Sequence, residues 1–129
     1  MAYNERMFRT LALSFLLAVG LAAQPAVVTA AKAKIKAGDA EAGIAMMETA
    51  LKGATAKDAP AIKTALAEAY FNVGDTAMNN EKLPPFRKYP AALKNFRKVL
   101  EFDRNHAKAK SNIATIEGIY KQMGRPVPQ

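Results

Sequence analysis

The chain has 129 residues and contains no cysteine, no tryptophan and a single histidine. Without cysteine there is no disulfide framework, no Cys-ligated zinc site and no lipidated N-terminal cysteine. With only one histidine in addition, no transition-metal site of ordinary composition forms, so no metal and no cofactor are expected. That histidine, His106, follows Asn105 at an expected helix start. A general base needs an orienting partner, the sequence offers none, and a structural or solvent-exposed role is expected instead. No glycine-rich phosphate loop and no nucleophile elbow occur. Helices are the only long periodic signal and no strand of any length competes with them, so strands are not expected either. Catalysis is not expected of this chain.

Half of the residues are apolar, enough for the core of one domain without metals or disulfides. The N-terminus carries Arg6 and Arg9, then an apolar run from Leu11 to Ala23, then Gln24-Pro25. Small residues follow at Val28-Thr29-Ala30. This is the layout of a secretory signal peptide over residues 1–30, with cleavage expected after Ala30. The alternative is a retained N-terminal membrane anchor. A span needs about 20 apolar residues, and Gln24-Pro25 stop this one short. The expected location is thus the periplasm or the exterior, with membrane contact only in transit. Residues 31–129 would keep 17 Lys and Arg (all but Arg6 and Arg9) against 10 Asp and Glu (all but Glu5), a net +7. Such a surface is soluble and attracts polyanions.

Helical periodicity dominates what remains. Ala31 to Ala37 reads as a short basic segment of one or two frayed turns. Asp39 is placed to cap a helix whose apolar stripe is Ala40, Ile44, Met47 and Leu51, ended by Lys52-Gly53. Asp58 is placed to cap the next, with Pro60 tolerated in the first turn. Its face is Ile62, Leu66, Tyr70, Val73 and Ala77, and Asn79-Asn80 with Pro84-Pro85 stop it. A third helix is expected from Pro90, burying Ala92, Leu93, Phe96, Val99 and Leu100. A fourth follows Asn105, buries Ile113, Ile116, Tyr120 and Met123, and stops at Gly124-Arg125-Pro126. The expected fold class is all-α, with residues 125–129 a disordered tail.

Two stretches are nearly alike: Ala67-Glu-Ala-Tyr-Phe-Asn-Val-Gly74 and Ala107-Lys-Ala-Lys-Ser-Asn-Ile-Ala114, which begin 40 residues apart. Both follow Ala-x-Ala-x-x-Asn-(Val/Ile)-(Gly/Ala). Between them lies the amphipathic segment with Ala92, Phe96, Val99, Leu100 and Asp103. The pattern resembles the tetratricopeptide repeat (TPR), with Val73-Gly74 and Ile113-Ala114 as the large-small pairs of helix A. Arg104 replaces the proline that usually closes a unit, and Ala77 and Glu117 replace a helix A aromatic. Leu83-Pro-Pro-Phe-Arg-Lys88 lengthens the turn between helices. The segment from Gly38 to Leu51, with Gly43, Ile44, Met47 and Ala50, looks like a diverged helix B. The resemblance implies antiparallel hairpins of α-solenoid type over residues 31–124, about one full repeat with flanking halves. Stacked repeats usually need three or more units. The chain is therefore expected to cap itself, to form a homodimer or to be completed by a partner, with Met46, Met47 and Ile119 as an exposed apolar edge.

The resemblance also implies a concave groove for another protein or peptide. Its lining would be Glu68, Phe71, Asn72, Asp75, Met78 and Asn79 on one helix and Lys108, Ser111, Asn112, Thr115 and Ile119 on the next. Asn72, Asn112 and Lys108 fall where some family members hold a peptide backbone or terminal carboxylate, and an amide side chain both donates and accepts. The competing feature is the basic set Arg87, Lys88, Lys94, Arg97, Lys98 and Arg104, suited to an anionic envelope polymer or lipid headgroup. No aromatic is interleaved there to stack bases, so nucleic acid is disfavoured. The expectation is a non-catalytic envelope adaptor or assembly factor that binds a protein in its groove.

Overall fold

The computed structural model describes residues 24–129, so the basic leader and apolar run lie outside it. The described residues form five α-helices and no strand: α1 (Ala26–Lys36), α2 (Ala40–Lys52), α3 (Ala59–Met78), α4 (Pro85–Phe102) and α5 (Ala107–Gln122). The fold is all-α. None of these helices is long and apolar enough to cross a membrane.

Local chemistry explains most boundaries. Gly38, at φ +97°, makes the tight turn into α2 that other residues resist. The Asp39 carboxylate then accepts the Ala42 amide at 3.0 Å, satisfying one of the free first-turn donors. The expected stripe of α2 is observed, with Ile44 and Met47 buried and Leu51 packed beside them. Asp58 does not cap α3, because its side chain accepts no helix amide. The Thr55 hydroxyl oxygen instead accepts the Asp58 amide, and Pro60 sits in the first turn.

Several expectations need correcting. The frayed basic segment is a regular helix: α1 runs for 11 residues, and Val28 and Ala31 on it are fully buried. It crosses the expected cleavage point, so a cut after Ala30 would divide it and remove Val28. α4 begins at Pro85, not Pro90, because proline suits the first helical position, where no amide partner is needed. Pro90 lies inside the helix, so the expected long turn is shorter by one helical turn. Met47 belongs to the core and not to an exposed edge, and Met46 and Ile119 are half-buried. Among the described residues the exposed large apolar side chains are Phe86 and Met123. The tail has no regular structure, yet Val127 packs on the core and Arg97 donates from Nη1 to the Pro128 carbonyl at 2.8 Å.

Two clusters make the core. Val28, Ala31, Ile44, Met47, Ile62, Ala65, Leu66 and Ala69 join α1, α2 and one face of α3. Ala67, Ala92, Leu93, Phe96, Val99, Ala109, Ile116 and Tyr120 join the other side of α3 to α4 and α5. Tyr70 and Phe102 touch both clusters, their rings stacked at 6.0 Å and 8°. α3 is thus the spine. Its partner pairs Gly74 with Phe96 and Tyr70 with Phe102 show that α3 and α4 run antiparallel. Lys32 stands opposite Glu68, and Ile35 and Lys36 line one cleft with Ala69 and Asn72. The near-constant offset means that α1 and α3 run in the same direction.

Candidate functional site

Because α3 gives two sides to the two clusters, only a narrow strip of it stays exposed. Residues four apart lie on one helix face, and Thr64, Glu68 and Asn72 form that strip, all exposed. A cleft opens on each side of it. The larger, about 710 Å³, lies between the first half of α3 and the turn joining α4 to α5, and is lined by Pro60, Lys63, Thr64, Ala67, Glu68, Phe71, Phe102, Asp103 and His106. The smaller, about 240 Å³, lies between α1 and α3 and is lined by Lys32, Ile35, Lys36, Ala65, Glu68, Ala69 and Asn72. Glu68 is the rim they share. Its carboxylate lies 3.6 Å from Lys32 Nζ, an exposed pair that contributes little to stability but sets the charge of the rim.

The wall of the larger cleft is fixed by aromatic packing. Phe71 is tilted against the buried Phe96 at 5.5 Å and stacked on the His106 imidazole at 4.9 Å and 28°. His106 in turn caps α5, its Nδ1 accepting the Ala109 amide at 3.1 Å. An Nδ1 that accepts leaves the ring proton on Nε2. The single histidine therefore has a structural role at a helix start. It also lines the cleft.

Of the expected groove residues, Glu68 and Phe71 line the larger cleft and Glu68 and Asn72 the smaller. Asp75 and Asn79 are occupied with each other at the end of α3, where Asn79 Nδ2 donates to the Asp75 carbonyl and carboxylate at 3.0 and 3.1 Å. Met78 packs against the second cluster. On α5, Lys108, Ser111 and Thr115 are exposed and Asn112 and Ile119 half-buried. Thr115 donates its hydroxyl to the Ser111 carbonyl. None of these five lines either cleft. The structure adds Lys63, Thr64, Phe102, Asp103 and His106 on one side and Lys32, Ile35 and Lys36 on the other. Thr64, four residues before Glu68, shares its face and is within reach of periodicity, whereas Lys63 lies about 140° around the helix. Phe102, Asp103 and the α1 residues arrive only through tertiary packing.

The basic set is divided. Arg97 is half-buried and holds the tail, and Lys98 pairs with Glu101 at 3.0 Å. Lys88 lies over the Tyr89 ring at 5.3 Å. Arg87, Lys94 and Arg104 are exposed.

Compared with known proteins, the chain matches no family model, no curated protein and no solved structure.

Proposed function

We propose that this protein is a non-catalytic, TPR-like interaction module, exported to the cell envelope, that holds a segment of another protein along α3. The observation that carries the reading is Glu68, exposed on the central helix and forming the common rim of two clefts. Two further features support it. Helix pairs α1/α2 and α3/α4 follow one another with α1 and α3 in the same direction, and Gly74 occupies a close crossing with α4, where the repeat family has a small residue.

An extended segment crossing Glu68 would place an apolar side chain against Phe71 and Phe102 and its polar groups near Lys32, Lys63 and Asn72. Phe71 is already held between Phe96 and His106, so little ordering is left to the binding step. The test is capture by the tagged protein from its own envelope fraction at low and high salt, beside the variant Glu68→Arg/Asn72→Ala. One protein retained at high salt and lost with the variant is the expected result. Capture unchanged by the variant removes the groove. Capture that vanishes with salt moves the interaction to Arg87, Lys94 and Arg104 and to polyanion binding.

A further inference from the structure

Away from that groove, between α2 and α4, lies a depression of about 860 Å³, larger than either cleft of the groove. Its floor includes Tyr70 and Val73, which lie two and five residues beyond Glu68 on α3. At about 100° per residue they point away from the groove strip. The two walls carry opposite charge. α2 supplies Asp39, Glu41 and Glu48, with the small Ala45 between the last two. α4 supplies Lys94, Asn95 and Lys98. Some of these groups already have partners: Asp39 caps α2, Glu48 accepts the Tyr70 hydroxyl, and Lys98 pairs with Glu101. Glu41 and Lys94 are exposed, and no side-chain hydrogen bond or ion pair engages them among the described residues.

We propose that this face joins two copies of the chain about a two-fold axis, with α2 of each copy set against α4 of the other. The argument for a second copy is the sign pattern. A two-fold interface must carry both halves of every pair on one surface, and this cleft does, acid on α2 and base on α4. Rotation brings Glu41 of each copy onto Lys94 of the other. A uniformly anionic ligand is disfavoured by the α2 wall. Each chain carries a formal charge of +8, so copies repel at long range and only such local matching favours association. In the dimer both α3 strips face outward, and two tethered grooves would raise avidity for a repeated partner.

Sedimentation equilibrium of the purified protein at 0.15 M salt, where charges are screened beyond about 8 Å, tests this. A monomer–dimer equilibrium is expected between roughly 1 and 300 µM, the range of weak, small interfaces. Lys94→Glu alone and Glu41→Lys alone should each weaken it about ten-fold, since every reversal acts twice across the axis. The double variant should recover most of the loss. Circular dichroism confirms helix content in each variant, and Lys94→Ala replaces any variant that fails it, with a smaller loss expected. A monomer at every concentration overturns the proposal. So does a dimer that ignores both single variants, or a double variant that is not rescued. None of these outcomes bears on the α3 groove, which capture experiments test separately.

Discussion

The two hairpins of this molecule close in different ways. In α1/α2 the crossing is backbone against backbone: a Cβ at Gly43 would stand 2.7 Å from the Ala31 carbonyl oxygen and 2.6 Å from Ile35 Cγ1. In α3/α4 a Cβ at Gly74 would meet the Phe96 ring at 2.9 Å and Asn95 Cβ at 3.2 Å. The first hairpin has no aromatic residue between Gln24 and Asp58 and is packed with Val28, Ala31, Ile44 and Met47. The second is built on Tyr70, Phe71, Phe96 and Phe102. Small residues let helices approach closely but give each contact little area. Aromatics bring 150–250 Å² each, roughly, and keep the helices further apart. The N-terminal pair is therefore the one in which single atoms decide the fit.

The largest test of that contrast is to shorten α1. Val28 is fully buried, and burying a valine contributes about 1.5–3 kcal/mol. A chain beginning at Ala31 also leaves α1 only its last six residues, on a helix with no side-chain cap. Against a chain beginning at Gln24, it should lose about 3 kcal/mol, or roughly 15 °C in Tm for a domain of this size. Equal melting temperatures would mean that the first hairpin does not depend on its tight packing. The same pair of chains bears on export. If a signal peptide is removed, N-terminal sequencing of the mature protein should find the cut before Ala26, leaving α1 whole.

Why α1 went unread follows from its composition. Its buried face is Val28, Ala31 and Ile35, and alanine gives little hydropathy contrast against Lys32, Lys34 and Lys36. The same small residues fit a processing site, which is a local pattern with no memory of what packs on it. By contrast, Ile44, Met47 and Leu51 in α2, and Ile116 and Tyr120 in α5, are large enough for periodicity to mark. At α4 the pair Pro84-Pro85 has the pattern of a stop for the preceding helix, although the second proline is an equally good start. The groove was legible only along α3, where Glu68, Phe71 and Asn72 share a face. Which α5 residues join them depends on how far α5 is offset along α3. That offset comes from the length of the α3–α4 turn and from Phe96 packing, neither of which a single-helix pattern contains.

A smaller effect separates the glycines. Gly43→Ala should cost about 2 kcal/mol, because the Ala31 carbonyl is backbone within a helix and does not yield. Alanine's higher helix propensity returns about 1 kcal/mol at both positions. At Gly74 the obstacles are the Phe96 ring edge and, at 3.2 Å, Asn95 Cβ, side-chain atoms that need give by only tenths of an ångström, so Gly74→Ala should cost about 1 kcal/mol or less. Urea unfolding of the two variants side by side gives the order. The reverse order would place the stricter fit in the aromatic hairpin and undo the comparison.

The smallest effect lies where the hairpins meet. Tyr70 on α3 donates its hydroxyl to Glu48 on α2, and its ring stacks on Phe102 of α4. Burial, then the Glu48 hydrogen bond, then the charges of Glu48 and Glu101 hold its pKa well above the ordinary tyrosine value. The neutral hydroxyl is thus favoured by the folded state. A group whose folded pKa is raised contributes its full stability below the unfolded pKa, about 10, and loses it as pH climbs towards the folded value. Tyr70→Phe keeps the stack and removes the bond, so at pH 7 it should cost about 1 kcal/mol. Above pH 10 the unfolded wild type ionises first, and its advantage over Tyr70→Phe should shrink. The two proteins differ only at position 70, so the difference between them isolates Tyr70. Urea melts of the pair at pH 7, 9 and 10.5 measure it. A gap that persists unchanged at pH 10.5 would detach Tyr70 from Glu48 and leave the Tyr70–Phe102 stack as the tie between the two hairpins.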